Sequence, residues 1–211
     1  MYRFLIHLVN PILTLINGRA QITHKENLPD GNYILVAPHR TWMDPVLLAI
    51  AAYPKEFSFM AKEELFENKF NNWFLRKLHA FPVNRKHPGM SAIKKPVKLL
   101  KDSNLSTIIF PTGSRYSAQL KGGALLIAKL ANVPLVPAVY QGPLSFGQLW
   151  SRKKRRIAFG QPIILDSHQR LTDDYQQQIE RQLQQAFDDL DHELDPSFKY
   201  VMPPKPKDDD F

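Results

Sequence analysis

The 211-residue chain is 44% hydrophobic and 23% charged, the profile of one globular domain able to bury a core rather than of a disordered or fibrous chain. It contains no cysteine, which excludes disulfides, Cys-ligated zinc, iron–sulfur clusters and thiol nucleophiles. The net charge of +8 conceals an asymmetry: residues 172–195 carry eight acids and one arginine, and residues 1–171 hold 24 Lys and Arg against 9 Asp and Glu, a basic body suited to nucleic acid, an anionic membrane surface or a phosphorylated substrate.

Residues 1–17 come first. Arg3, His7, Asn10, Thr14 and Asn17 recur in steps of three and four, with apolar residues filling nearly every other position, so the segment reads as a helix with a narrow polar stripe and a broad apolar face. Three readings compete: a helix packed on its own domain, a helix lying in a membrane interface, and a signal peptide interrupted by His7, Asn10 and Pro11. The interfacial helix is the reading adopted. No stretch reaches 18 uninterrupted apolar residues, so a conventional spanning helix is not expected.

Beyond it, short β-rich runs alternate with helical patterns, as in an α/β domain. A buried strand is expected over residues 33–37, then a helix over 46–52 with Asp44 as N-cap and Pro45 at its first position. A strand at 57–61 and a helix over 63–78 follow. A helix at 91–100 is weakened by Pro96. Next come a strand at 107–110, a Pro/Gly/Ser loop, a helix at 123–131 and an extended run at 135–140 whose Pro137 favours a sheet edge. The basic run 152–156 leads into an apolar segment at 157–159. Tyr175, Ile179, Leu183, Phe187, Leu190 and Leu194 mark one face of a long acidic helix. The fold class expected is a single α/β domain with a mixed central sheet flanked by helices, plus the N-terminal helix.

The chain offers His-x4-Asp twice, as His39 to Asp44 and again as His168 to Asp173, the second in a polar lead into a surface helix. Only His39 follows an apolar strand, where α/β proteins place their sites. Such a pair supports general-base catalysis, the imidazole taking a hydroxyl proton while the carboxylate fixes its tautomer. The competing reading makes Asp44 a helix cap and His39 an ordinary loop residue. In the loop 110–117, Gly113, hydroxyl neighbours and Arg115 fall between a strand and a helix, where backbone N–H groups and a guanidinium can meet a phosphate. There is no Walker pattern, and Pro-Thr-Gly-Ser is also simple turn chemistry. Arg85 ends a short extended segment and is a second candidate phosphate ligand.

In order along the chain, His39 to Asp44, the segment ending at Arg85, the loop 110–117 and Val133-Pro134-Leu135-Val136-Pro137 resemble the four blocks of the glycerolipid acyltransferases, in particular the 1-acyl-glycerol-3-phosphate acyltransferases. Ala61-Lys62-Glu63-Glu64-Leu65-Phe66 also resembles that family's sequence, and the likeness runs from about residue 20 to about 165. The resemblance implies that His39 deprotonates the free hydroxyl of a lysophospholipid for attack on an acyl thioester, with Asp44 orienting it. It implies phosphate binding by Arg85 and Arg115, a loop shaped by Gly113 and Ser114, and accessory roles for Lys62 and Thr112. It calls for no metal and no bound cofactor. The implied donor is an acyl-carrier-protein or acyl-CoA thioester.

Two positions depart from the family pattern. Thr112 stands where the third block usually has Glu, which leaves open a catalytically silent or different-acceptor lipid-binding relative, and Pro38 stands where Asn is common. The domain map expected is a membrane-associating helix at 1–17, an acyltransferase domain at 18–195 and a flexible tail at 196–211. The partners expected are a membrane lipid surface, a lysophospholipid acceptor and an acyl carrier protein, without nucleic acid, because the run 152–156 lacks interleaved aromatics. The location expected is peripheral or monotopic on the cytoplasmic face of the cell membrane.

Overall fold

The structure, a computed structural model, describes residues 1–84, 89–116, 120–151 and 153–204. Arg85, Ser117, Arg152 and the tail from 205 onward lie outside the described residues. Seven strands form one sheet: β1 (Gln21–Thr23), β2 (Ile34–Val36), β3 (Glu56–Lys62), β4 (Ala80–Val83), β5 (Leu105–Ile109), β6 (Leu135–Gln141) and β7 (Arg156–Phe159), in the order β1-β7-β6-β2-β5-β3-β4. The five strands from β6 to β4 are parallel, and β7 turns antiparallel to β6 while pairing parallel with β1. The mixed sheet expected from the sequence is therefore present.

Alternation along the strands builds a core on each face of the sheet. Tyr33 and Leu35 join Phe57, Ile108 and Phe159 under the helices α1 (Tyr2–Asn17) and α2 (Asp44–Ala51). Ile34 and Val36 point the other way, to α4 (Ser91–Asp102), α5 (Gly123–Ala131) and α6 (Asp173–Leu194). Leu48 and Leu183 are fully buried, one in each core, so truncating either to alanine costs about 2–5 kcal/mol.

Three local expectations are corrected. Residues 63–78 are two elements, a 3-10 turn at Glu63–Phe66 and α3 (Lys69–Lys77), because the Asn68 side chain accepts from the amides of Phe70 and Asn71 and starts a new helix. Pro137 does not mark an edge, since β6 lies between β7 and β2. It falls at the last register paired with β2, just before the ladder to β7 begins at Ala138, so its missing N–H interrupts neither ladder midway. Pro96 does not stop α4; the helix forgoes one internal bond and buries the ring instead.

The polar stripe of α1 is turned toward the protein. Arg3 bonds Glu56 at 2.6 Å, His7 meets the Tyr53 hydroxyl at 3.1 Å, and the Asn17 amide donates to the carbonyls of Leu149, Ser151 and Lys153. Tyr2, Ile6 and Leu13 enter the core, while Phe4, Leu8, Ile12 and Leu15, the last 88% exposed, form an apolar stripe to the outside. Among the described residues, no helix is long and apolar enough to cross a membrane.

Candidate active site

β2 and β5 are neighbours, yet their following helices, α2 and α5, pack on opposite faces. The loops after these strands diverge, and a crevice opens at the carboxyl ends, the usual ligand position in such sheets. His39 lies on one loop and residues 110–116 on the other.

The His39 Nδ1 stands 3.0 Å from Asp44 Oδ2. The same oxygen accepts the backbone N–H groups of Arg40 at 2.7 Å and Thr41 at 2.8 Å. Asp44 is the first residue of α2 and is not its N-cap; its carboxylate turns back to the preceding loop, so the helix-cap reading does not hold. A carboxylate acceptor at Nδ1 places the proton of a neutral imidazole on that nitrogen and leaves Nε2 as the acceptor nitrogen. The imidazole lies on the Phe110 ring, centroids 4.3 Å apart, which fixes its plane. Asp44 Oδ1 is buried without a hydrogen-bond partner among the described residues.

The loop is fastened from outside its own motif. The Arg40 guanidinium donates to the Tyr140 carbonyl at 2.8 Å and to both carboxylate oxygens of Asp191 on α6. Gln141 donates to that carboxylate from β6, and the rings of Phe198 and Tyr200 lie 5.0 and 5.6 Å from the guanidinium carbon. These two aromatics belong to the segment expected as tail. The Thr41 hydroxyl donates to the Leu144 carbonyl at 2.8 Å.

Two cavities meet at His39. One, of about 390 Å³, is walled mainly by apolar groups, including Phe59, Met60, Val83, Ile93, Ile109 and Ile127. The other, of about 160 Å³, is lined by Arg115, Thr112, Asp188, Asp191 and Tyr200 among apolar side chains such as Leu120, Phe187 and Met202. Burial and the nearby Asp44 charge push the Tyr200 hydroxyl above its usual range. Gly113 adopts φ +72°, a left-handed conformation that suits glycine. Thr112 donates to the Ser114 carbonyl at 2.8 Å, so its hydroxyl is used in shaping the turn. Ser114 accepts from the Tyr116 amide at 3.3 Å, and the Arg115 guanidinium lies over the Tyr116 ring.

The fold thus brings His39, Asp44, Thr112, Gly113, Ser114 and Arg115 together. It does not bring Lys62 in: that side chain pairs with Glu64 at 3.4 Å and lines neither cavity. His168 and Asp173 lie apart, before and at the start of α6. Sequence reasoning missed Arg40, Asp191, Tyr200 and Lys121, whose ammonium lies beside Gly113 in the apolar cavity's wall. The available signal for Asp191 was its place one helical turn beyond the core residue Phe187. Among the described residues no group of His, Asp and Glu is arranged to hold a metal ion.

A family model described as Acyltransferase matches residues 19–141. A 1-acyl-sn-glycerol-3-phosphate acyltransferase of Streptococcus pneumoniae is 45% identical over 194 residues, 91% of this chain and 74% of that one. The enzyme of the same name from Bacillus subtilis is 43% identical over 166 residues, covering 77% and 82%. In fold, the chain matches the crystal structure of the 1-acyl-sn-glycerophosphate acyltransferase PlsC from Thermotoga maritima with a TM-score of 0.67 at 22% identity, over 90% of this chain and 79% of that one. With more than half of its length matched by the family model and a relative 45% identical along most of it, the chain belongs to the acyltransferase family.

Proposed function

We propose that this enzyme transfers a fatty acyl group from a thioester donor, acyl carrier protein or coenzyme A, to the free hydroxyl of 1-acyl-glycerol-3-phosphate, giving phosphatidate. The observation that carries the reading is the His39 and Asp44 pair at the junction of an apolar cavity and a pocket containing Arg115. Nε2 takes the hydroxyl proton as the oxygen attacks the thioester carbonyl, and Asp44 stabilises the imidazolium. The tetrahedral intermediate collapses with cleavage of the C–S bond, and the imidazolium returns its proton to the thiolate. The acyl chain occupies the apolar cavity. Arg115, with the turn of Gly113 and Ser114, holds the acceptor phosphate as a forked donor; Arg85 is proposed as its second ligand. These steps need no bound cofactor.

The substrate reaches this site from a bilayer. Phe4, Leu8, Ile12 and Leu15 present an apolar stripe on α1, and Trp42, Phe146 and Trp150 are exposed, the first two packed together at 4.7 Å. Trp150 lies in a turn that packs on α1. This is the pattern of a helix seated in the headgroup boundary with aromatic anchors, and it supports a peripheral or monotopic membrane location; the cytoplasmic face of the cell membrane is proposed with it, with residues 1–17 as the membrane-associating segment, 18–195 as the catalytic domain and 196–211 as a tail.

The test is transfer of a labelled acyl group from each donor to lysophosphatidate, dispersed in micelles or embedded in vesicles. His39→Ala is expected to lower the rate by about 10²–10⁴-fold in both formats. Leu8→Asp is expected to slow only the vesicle reaction. Undiminished transfer by His39→Ala overturns the general-base assignment, and equal rates for Leu8→Asp in both formats overturn the membrane-seated α1.

A further inference from the structure

A third cavity, of about 290 Å³, lies between α1, α2 and the β1–β7 edge and shares no lining residue with the two cavities at His39. Its polar wall is made by Asn10, Thr14, Arg19, Lys25, Tyr53 and Arg155. Arg155 is 2% exposed, and its one side-chain hydrogen bond among the described residues runs from Nη2 to the Gly18 carbonyl at 2.6 Å. Its Nε is buried without a partner, and it forms no ion pair with a described residue. Burial holds its pKa below the usual arginine value, opposed by the nearby Tyr140. Lys25, which donates to the Tyr53 carbonyl at 2.7 Å, and Arg19 are exposed at the rim. No carboxylate of the described residues lines the cavity.

A guanidinium remains charged even when buried, and a buried charge without a counter-ion is costly. Arg40, the other buried arginine, has both oxygens of Asp191. Arg155 has a cavity, two further cations, the Thr14 hydroxyl and the Asn10 amide instead. Its unfilled donor directions match an oxyanion that offers several acceptor oxygens, as phosphate does.

We propose that this cavity is a second anion site, distinct from the catalytic pocket, that binds a phosphate group with Arg155 at its floor and Arg19 and Lys25 at its rim. Two sources supply that chemistry: the headgroup of an anionic phospholipid and free inorganic phosphate. The lipid source rests on the reading of α1 as the membrane-seated helix, since Asn10 and Thr14 of that helix line the cavity. The site itself does not rest on it.

The test uses the full chain carrying Arg115→Ala, so that the acceptor phosphate pocket is silenced. Thermal unfolding is followed with and without inorganic phosphate, and binding is measured to vesicles of phosphatidylcholine alone and of phosphatidylcholine with phosphatidylglycerol. Arg155→Met, the rim pair Arg19→Ala with Lys25→Ala, and a control pair Lys98→Ala with Lys101→Ala on the other face of the sheet are compared. Phosphate is expected to raise Tm in the parent and not in Arg155→Met. Preference for the anionic vesicles is expected to fall about fivefold per cation removed at the site, with a smaller loss in the control pair.

Loss of the vesicle preference identifies a lipid headgroup as the source, and loss of the phosphate shift alone identifies free phosphate. If Arg155→Met does not fold, the exposed rim pair gives the same two readings. An unchanged phosphate shift together with an unchanged vesicle preference, or a vesicle loss matched by the control pair without any phosphate shift, overturns the site. Acyl transfer in micelles by Arg155→Met with Arg115 intact is expected to persist, because the site is apart from the catalytic pocket; the phosphate and vesicle readings judge the anion site, and the His39→Ala comparison judges the catalytic assignment independently.

Discussion

Arg40 and Arg155 are both almost wholly enclosed, at 8% and 2% exposure, and the protein answers their charges in opposite ways. Arg40 stands between a carboxylate and two aromatic faces, with its backbone N–H on the Asp44 carboxylate. Arg155 has one backbone carbonyl and an open cavity. The Nε of each is buried without a hydrogen-bond partner, but a buried arginine that holds a carboxylate counter-ion fixes geometry, because every element that supplies a partner is tied to the others. One that is left short of acceptors stays available to something from outside. In this molecule the first kind lies at the loop that carries His39 and the second under the helix whose outer stripe is apolar.

The comparison breaks most severely at Asp191. Replacing it by alanine leaves the Arg40 guanidinium buried without its counter-ion, and a loss of about 3–5 kcal/mol in unfolding free energy is expected, read as a drop in the denaturant midpoint. A double change, Arg40→Met with Asp191→Leu, sharpens it. Well-packed apolar pairs replace buried ion pairs at little cost, so stability is expected to return close to the parent. The main-chain N–H of residue 40 is retained, but the tether to α6 is gone, and kcat is expected to fall about 10- to 100-fold with KM little changed, as small misplacements of a catalytic group do. A double variant with full kcat assigns the pair to stability alone.

Much of this arrangement was legible before any coordinates. The strand at β2, the His39 and Asp44 spacing and the Gly113 turn are local patterns, since each depends on residues within a few positions of one another. The two faces of the sheet follow from alternation at residues 33–37. The strand β1 was not legible, because three residues with an exposed pattern carry no periodicity and are held by pairing with β7, far along the chain. Arg40 with Asp191, 151 positions apart, was hidden for the same reason. The direction of the α1 stripe was also misleading: polarity along a helix shows two faces, and only Glu56, Tyr53 and the turn after Phe146 reveal that the polar one is turned inward.

The smallest effect is expected at Arg155 itself, and its sign is informative. In phosphate-free medium without lipid, Arg155→Met removes a guanidinium whose only acceptor among the described residues is the Gly18 carbonyl and substitutes a flexible apolar chain of similar length. The lost charged hydrogen bond costs about 1.5–3 kcal/mol, and relief of an unpaired buried charge opposes it. The unfolding midpoint is therefore expected to move little, within about 1 kcal/mol in either direction, in contrast to the several kcal/mol lost at Asp191. A destabilisation as large as that of Asp191→Ala shows that Arg155 is satisfied by the protein alone. It then belongs with Arg40 as a structural cation, and the contrast between the two arginines disappears.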